Sequence, residues 1–271
     1  MTSIFTVMLE LARRLGATYE GDLYKSTSQG TTTTLVSTTL IQTDKWIGGT
    51  LFIKSGPLAG ISREIVDFTP SDGTVTVATP FHASTNMPAG SEFAIAKSDY
   101  PRHAFLRAIN AALRWWGDIA YTQDVTPSSN EPSLEHNLPA PAVNSLRQVL
   151  IAADTPTPRN YQPFPYWYVN KGSGKLVFLR PPGDRYHMRL VFVAPHGAVS
   201  SDNDSIDPQV HLESLYQYAL AELYLWKMQS TGHDDRKFVD FYNQALQLAE
   251  RYRRDNRRPL PGKDLIYDIW P

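Results

Sequence analysis

Four segments of the chain repeat apolar residues every three or four positions, which is the spacing of one face of an α-helix. One segment lies at the start, one lies in the middle and two lie near the end. Asp207 is a candidate N-cap for the third segment, with Pro208 at its first helical position. The apolar positions are Phe5, Met8, Ala12 and Leu15; Phe105, Ile109, Ala112 and Trp116; Leu212, Leu215, Tyr216, Ala219, Leu223 and Trp226; and Phe238, Phe241, Ala245, Leu248 and Tyr252.

The last two helices are predicted to form an antiparallel hairpin. The third is expected to stop before Gly232, and the fourth is expected to run from about Asp234 to Asp255. The short link from Ser230 to His233 leaves little room for any other connection.

Two blocks between the helices alternate apolar and polar residues, which is the period of a β-strand. In the first block, Pro70-Ser71-Asp72-Gly73 predicts a hairpin turn, because Gly73 can take the positive φ that the turn needs. In the second block, Gly172-Ser173-Gly174 is expected to turn the central pair of strands. The predicted strands are residues 34–36, 50–53, 62–68, 74–77 and 93–95 in the first block, and residues 146–151, 166–169, 175–179 and 188–193 in the second.

The order of these elements predicts an α+β fold: an antiparallel helical bundle with two inserted β-rich modules and an extended C-terminal tail. The first two helices are too short to be stable alone, and the aromatic-rich faces of the hairpin need cover, so a bundle is favoured over three consecutive domains. The predicted parts are helix 1 of the bundle at residues 1–18, an inserted small β-barrel module at 19–98, helix 2 at 99–121, a second β-rich module at 122–200, the helical hairpin at 201–256 and a C-terminal arm at 257–271.

Composition narrows the classes of function. The 271 residues carry 26 Lys and Arg against 27 Asp and Glu, so there is no summed basic field to hold DNA, and any contact with nucleic acid must be local. The absence of cysteine excludes disulfides, thiolate zinc sites and cysteine nucleophiles. The apolar start is broken by Glu10, Arg13 and Arg14 and is not a signal peptide. No run reaches the about 20 apolar residues of a membrane helix, so we expect a soluble protein without membrane contact.

Candidate motifs for chemistry fail their own requirements, and we expect no catalytic, metal or cofactor site. The loop from Gly172 to Lys175 lacks the preceding glycine and the following hydroxyl of a phosphate loop, so a hairpin turn is favoured. Residues 202–207, with Glu213 at the twelfth position, resemble a calcium loop. Ile206 and Asp207 contradict it, because they stand where the loop needs an oxygen ligand and a glycine, and a solvated turn is favoured instead.

Five aromatic residues lie close together in the second β block. Aromatic faces interleaved with polar residues can stack on sugars or bases, but no basic cluster accompanies them. Packing in the core or at a subunit interface is the favoured interpretation, and binding of a surface glycan is the alternative. The residues are Tyr161, Phe164, Tyr166, Trp167 and Tyr168.

The end of the sequence joins a basic helix terminus to an apolar tail. Arg251, Arg253, Arg254, Arg257 and Arg258 finish the fourth helix, where their charge complements the helix dipole. Large apolar side chains in a tail are costly in water and should dock on another surface. The tail either folds back on its own chain or forms an arm that reaches a neighbour, which the Pro261-Gly262 linker favours. Its apolar residues are Leu260, Leu265, Ile266, Tyr267, Ile269 and Trp270.

The first β block resembles a module of tailed-phage structural proteins over about fifty residues. The matching stretches are residues 30–36 (GTTTTLV), 46–51 (WIGGTL), 55–60 (SGPLAG), 63–68 (REIVDF), 73–77 (GTVTV) and 80–81 (PF). The remainder is more loosely similar to tailed-bacteriophage head-to-tail adaptor proteins, also called connector or neck proteins. There the likeness rests on a helix near His103, residues 138–140 (LPA), a strand closed by residues 181–183 (PPG) and a final helical pair with a tail.

This resemblance implies a non-catalytic subunit of a homo-oligomeric ring, expected to be a dodecamer, seated under the portal of the phage head. It implies that the C-terminal arm, with Arg257, Arg258, Leu260, Leu265, Ile266, Tyr267, Ile269 and Trp270, docks on the portal protein. The opposite face would receive tail or tail-completion proteins, and genomic DNA would pass without sequence-specific binding. The expected location is the head-tail interface of the virion, after synthesis in the host cytoplasm. The alternatives are a carbohydrate-binding or other tail or neck binding module of the virion and, lower, an unrecognised hydrolase.

Overall fold

The computed structural model describes residues 1–19, 24–40, 46–125, 134–153, 158–183, 186–231 and 236–262. The helices are α1 (Ile4–Arg14), α2 (Arg102–Trp116), α3 (Ala142–Ser145), α4 (Leu212–Thr231) and α5 (Arg236–Asn256). The strands before α2 are β1 (Thr2–Ser3), β2 (Thr18–Tyr19), β3 (Thr34–Val36), β4 (Thr50–Ile53), β5 (Ile61–Thr69), β6 (Thr74–Val77) and β7 (Phe93–Ala96). Those after α2 are β8 (Asp118–Val125), β9 (Glu135–Asn137), β10 (Leu146–Ala153), β11 (Gln162–Pro163), β12 (Trp167–Asn170), β13 (Lys175–Phe178), β14 (Tyr186–Pro195) and β15 (Ser205–Ile206).

These elements belong to two compact units. Unit 1 contains Met1–Trp116 and Gly197–Arg257, and unit 2 contains Gly117–His196 and the described residues that follow Arg257. Unit 1 holds an antiparallel six-stranded sheet in the order β2-β7-β4-β5-β6-β3 and a two-stranded sheet of β1 and β15. Unit 2 holds a four-stranded sheet in the order β11-β10-β14-β8 and a three-stranded sheet in the order β12-β13-β9.

The six-stranded sheet follows the strands that alternation predicts. β3, β4 and β6 have the predicted bounds, β5 is one residue longer than predicted at both ends, β7 is one residue longer at its C-terminal end, and β2 corresponds to no predicted strand. The predicted turn at Gly73 is confirmed: Gly73 has φ +69° and its amide donates to the Thr69 carbonyl at 3.0 Å. Residues 24–28 hydrogen-bond both to β3, through Thr27 and Val36, and to the residues that lead into β7, through Ser26 and Ser91. Residues 24–28 therefore join β3, at one end of the strand order, to the start of β7, near the other end, around one apolar core.

The prediction that a helical bundle forms the framework of the fold is wrong. The described residues form four β-sheets, and no helical bundle is evident among them. Two of the helices pack on a sheet: Phe5 of α1 and Phe105 of α2 both make edge contacts with Phe52 of β4, with ring centres 5.9 and 6.3 Å apart. A sheet face covers an amphipathic helix as well as a second helix does. Helical periodicity shows that a face is buried, but it does not show what buries it.

α4 and α5 run antiparallel in unit 1. His211, just before α4, lies near Tyr252 of α5, and Tyr224 lies near Phe238 at the opposite end. The predicted N-cap of α4 is wrong, because Asp207 and Pro208 lie in a turn and the helix begins at Leu212. Of the predicted link from Ser230 to His233, Ser230 still lies in α4, and residues 232 and 233 lie outside the described residues. α5 buries only Ala245 and Ala249 among its described side chains, so most of its surface faces outward.

The two sheets of unit 2 share one core. β10 and β14 supply one side of it, and Trp167, Leu176 and Phe178 of the three-stranded sheet supply the other. β8, which no predicted strand covers, pairs with β14 along its whole length. Gly172-Ser173-Gly174 turns β12 into β13 as predicted.

We expect Gly73→Ala to destabilise unit 1 strongly. An added Cβ would lie 1.9 Å from the Ser37 carbonyl oxygen, so the backbone beside β3 would have to move in addition to the strain of positive φ. The expected loss is about 2–4 kcal/mol of unfolding free energy. Gly60→Ala is the matched control, because Gly60 also has positive φ but has no atom within 4 Å of its added Cβ, and it should cost only about 1 kcal/mol. Thermal unfolding of the two variants compares the losses, and equal losses would contradict the contact with Ser37.

Candidate functional site

A buried ion-pair centre joins the two chain segments of unit 1. The carboxylate of Asp202 is 7% exposed and accepts hydrogen bonds from the Ser62 amide at 2.9 Å and from the Ser62 hydroxyl. Arg63 of β5 and Arg102 of α2 approach the same carboxylate at 3.3 and 3.2 Å. The Asp202 carbonyl accepts the Phe5 amide at 3.2 Å. One residue thus contacts β5, α2 and α1.

The charges at this centre are held by mutual hydrogen bonding. Arg102 Nε donates a hydrogen bond to the Ser62 hydroxyl at 2.9 Å. The same hydroxyl donates a hydrogen bond to the Asp202 carboxylate. Burial lowers the pKa of the Arg63 guanidinium, and the positive charge of Arg102 lowers it further. A buried carboxylate with these partners is stabilising only while the set is complete, because an unpaired charge would keep its desolvation cost.

The residues of the suspected calcium loop have other partners. Asp202 faces the two arginines, and the Asp204 carboxylate accepts the Ser200 and Ser201 amides at 2.7 and 2.9 Å. Glu213 pairs with Arg14 of α1 at 2.6 Å, and this contact holds the pKa of Glu213 below its usual range. Over the residues that the structure describes, no group of three or more potential metal ligands occurs.

The suspected phosphate loop is a side-chain-capped turn. The amides of Gly172 and Ser173 donate to the Asn170 side-chain oxygen at 3.1 and 3.2 Å. These amides are the groups that would otherwise face a phosphate. Lys175, the last residue of the suspected motif, pairs with Glu135 at 2.6 Å.

The structure separates the five aromatic residues into different roles. Trp167 is 1% exposed in the core of unit 2, and Phe164 is half-buried against Phe178, with ring centres 5.4 Å apart. Tyr161 lies under the guanidinium of Arg189, which is 4.0 Å from the ring centre. Arg189 also makes a two-point ion pair with Asp124, which lowers the pKa of that carboxyl. Trp167 therefore offers no ring face to a sugar or base.

Tyr166 and Tyr168 are instead partly exposed, at 37% and 40%. Tyr168 follows Trp167 in β12 and therefore lies on the opposite face of the three-stranded sheet, and Tyr166 directly precedes β12. Leu179, whose amide bonds to the Tyr166 carbonyl, is also exposed, and the Arg180 guanidinium lies 3.5 Å from the Tyr166 ring centre. We call Tyr166, Tyr168, Leu179 and Arg180 the outer aromatic surface.

Sequence reasoning missed two of these four residues, Leu179 and Arg180. A signal was present, because alternation along residues 175–179 places Leu176 and Phe178 on one face and Val177 and Leu179 on the other. The role of Arg180 had no local signal, since its cation–π contact depends on the pairing of two strands.

The predicted arm is described only at its beginning. Arg257 and Arg258 are exposed and Leu260 is half-buried. Leu265, Ile266, Tyr267, Ile269 and Trp270 lie outside the described residues. Arg253 has a fold role, because its guanidinium stacks on Trp115 at 4.7 Å and donates to the Trp116 carbonyl at 3.2 Å. Among the described helices, none is both long and apolar enough to cross a membrane.

Comparison with known protein families finds a match over most of the chain. The sequence model of a family described as SU10 adaptor protein matches residues 62–262. The matched range contains Ser62, Arg63, Arg102 and Asp202 as well as the outer aromatic surface. No curated protein and no solved structure matches the chain.

Asp202→Asn should destabilise the protein by about 2–3 kcal/mol, because it removes the negative charge that offsets two partly buried guanidiniums. Urea unfolding at neutral pH measures the loss. Glu250→Gln is the control: Glu250 is an exposed carboxylate on α5, and its neutralisation should change stability by less than about 0.5 kcal/mol. An Asp202→Asn variant as stable as this control would contradict the proposed energetic role of the centre.

Proposed function

Because the chain belongs to the SU10 adaptor protein family, we propose that it is a ring subunit that connects the portal vertex of a phage head to the tail. The observation that carries this proposal is the family match over residues 62–262. Family membership makes the chain a phage structural adaptor protein, a component of the virion that associates with other virion proteins. It also favours a non-enzymatic role, and the proposal assigns no catalytic residue and no cofactor.

In the proposed ring, identical subunits contact one another through two different surfaces, as a closed cyclic assembly requires. A dodecamer is proposed from the resemblance to head-to-tail adaptors. The portal protein would bind one face and tail or tail-completion proteins the other. The near balance of 26 basic and 27 acidic residues suits a wall past which DNA moves, because a strongly basic wall would retain the genome.

We propose that the outer aromatic surface is one of the contacts between neighbouring subunits. Tyrosine and arginine are enriched in the well-packed centres of protein interfaces. Tyr166 and Tyr168 expose part of their side chains, while Trp167 between them is fixed in the core. A rigid strand that presents exposed rings loses little conformational entropy on binding.

The proposed portal contact is the arm that follows α5. Its residues are Arg257, Arg258, Leu260, Leu265, Ile266, Tyr267, Ile269 and Trp270. The support is their composition, since five large apolar side chains in the last seven residues need a surface to dock on. The arm could dock on a neighbouring protein or fold back on its own chain, and we propose that it docks on a neighbouring protein.

Deleting residues 265–271 should abolish decoration of portal particles from the same phage. Negative-stain microscopy at micromolar concentration provides the measurement, and the full-length chain is expected to decorate the particles. The truncated chain should keep its thermal unfolding midpoint, which separates loss of binding from loss of folding. Undiminished decoration by the truncated chain would rule out the arm, and failure of the full-length chain to decorate would rule out the portal adaptor.

Tyr166→Ser combined with Tyr168→Ser should weaken ring formation by roughly tenfold or more, because it removes two exposed aromatic anchors from the proposed contact. Mass photometry across a concentration series measures the shift in the assembly midpoint, with portal particles added as template if the free chain is monomeric. Val66→Ser is the matched control, since Val66 is an exposed apolar residue of β5 in unit 1. Equal assembly of all three chains would eliminate the outer aromatic surface as the contact.

A further inference from the structure

Three exposed arginines lie in the last turns of α5 and directly after its end. Arg251, Arg254 and Arg257 follow one another at intervals of three residues, which makes them neighbours on the helix surface. The Arg257 amide still bonds to the Arg253 carbonyl at 2.8 Å, so the helical turn continues to this residue. We call these three residues the arginine cluster.

The arginine cluster has no ion pair within the described ranges of the chain. Glu250 and Asp255 lie in the same turns of the helix, yet neither carboxylate comes within 4.0 Å of these guanidiniums. Like charges at this spacing repel each other and destabilise a helix. An anionic partner that lies across the cluster would offset this repulsion.

The neighbouring Arg253 shows what a structural arginine looks like on this helix. Its guanidinium stacks on Trp115 and donates a hydrogen bond to the Trp116 carbonyl. Burial lowers the pKa of Arg253, and the positive charge of Arg257 lowers it further. The favourable interaction with the helix dipole is confined to the last turn, where Arg253 and Arg254 lie. It does not account for Arg251, which lies five residues before the end of the helix.

We propose that the arginine cluster binds an acidic surface of the portal protein. This inference rests on the proposed function and specifies the chemistry of the portal contact. Guanidinium groups match carboxylates through paired hydrogen bonds and bind them more specifically than a lysine does. The expected partner surface therefore carries Asp or Glu side chains spaced along one helical turn or strand.

A protein surface fits the segment better than a nucleic acid does. DNA phosphates would satisfy the same positive charge. The residues that follow the cluster, however, include Leu265, Ile266, Tyr267, Ile269 and Trp270, and a phosphate backbone has no apolar pocket for them. The combination of arginine with tryptophan and tyrosine is typical of the centres of protein–protein interfaces.

The test compares charge-neutralised chains in binding to portal particles of the same phage. Affinity of the full-length chain is measured by biolayer interferometry at 50, 150 and 500 mM NaCl. The test variant is R251Q/R254Q, and the matched control is R114Q/R236Q, which removes two exposed arginines elsewhere, one of them at the opposite end of α5. At 50 mM NaCl, R251Q/R254Q should bind roughly tenfold more weakly than wild type, and its affinity should depend less on salt. The control should match wild type at every salt concentration.

Portal binding of R251Q/R254Q with wild-type affinity and wild-type salt dependence would overturn this inference and leave the proposed function standing. No binding of the wild-type chain at any salt concentration would overturn the proposed function and this inference with it. The third arm uses a 30-base-pair DNA duplex as the probe. Duplex binding that R251Q/R254Q abolishes, together with unchanged portal binding, would overturn the acidic protein surface and assign the cluster to nucleic acid.

Discussion

The ion pairs of Asp202 are the interaction on which unit 1 depends. Unit 1 is built from two stretches of chain that are separated by all of Gly117–His196, and Asp202 lies just after the point where the chain returns. Its carboxylate binds Ser62 and Arg63 of β5 and Arg102 of α2, while its backbone accepts a hydrogen bond from α1. A charge buried this far needs all its partners, so the returning segment has one stable position relative to the sheet and the helices.

The polar centre of unit 1 and the apolar core of each unit lie inside that unit. In unit 2, Trp167 anchors β12 in the core, while its chain neighbours Tyr166 and Tyr168 are exposed. In unit 1, Arg253 anchors the end of α5 on Trp115, and the arginine cluster faces outward around it. In both places a buried residue fixes a strand or helix, and its neighbours along the chain are exposed. The contacts that we propose for this adaptor protein use these exposed residues.

The sequence alone was informative where a single local rule decides the structure. Alternation and turn chemistry predicted β3, β4 and β6 with their bounds, and the need for positive φ located the turn at Gly73. The failed requirements of the phosphate-loop and calcium-loop motifs led to the expectation of turns, and Asn170 and Asp204 cap turns at these two places. The predicted helix start at Asp207 was wrong, because an aspartate caps a turn as readily as it caps a helix.

What the sequence determined by itself is which faces of the strands and helices are apolar and where the chain must turn, because periodicity and glycine conformation act over a few neighbouring residues. What only the tertiary structure decided is which buried faces meet. Phe5 and Phe105 lie on Phe52 of a sheet instead of in a helical bundle, and Asp202 meets arginines that are 139 and 100 residues away in the sequence. The hydrophobic effect does not select which apolar surface covers a given face. Two residues that form an ion pair far apart in the sequence have no characteristic spacing. The sequence pattern therefore predicted neither the sheet partner of the helices nor the arginine partners of Asp202.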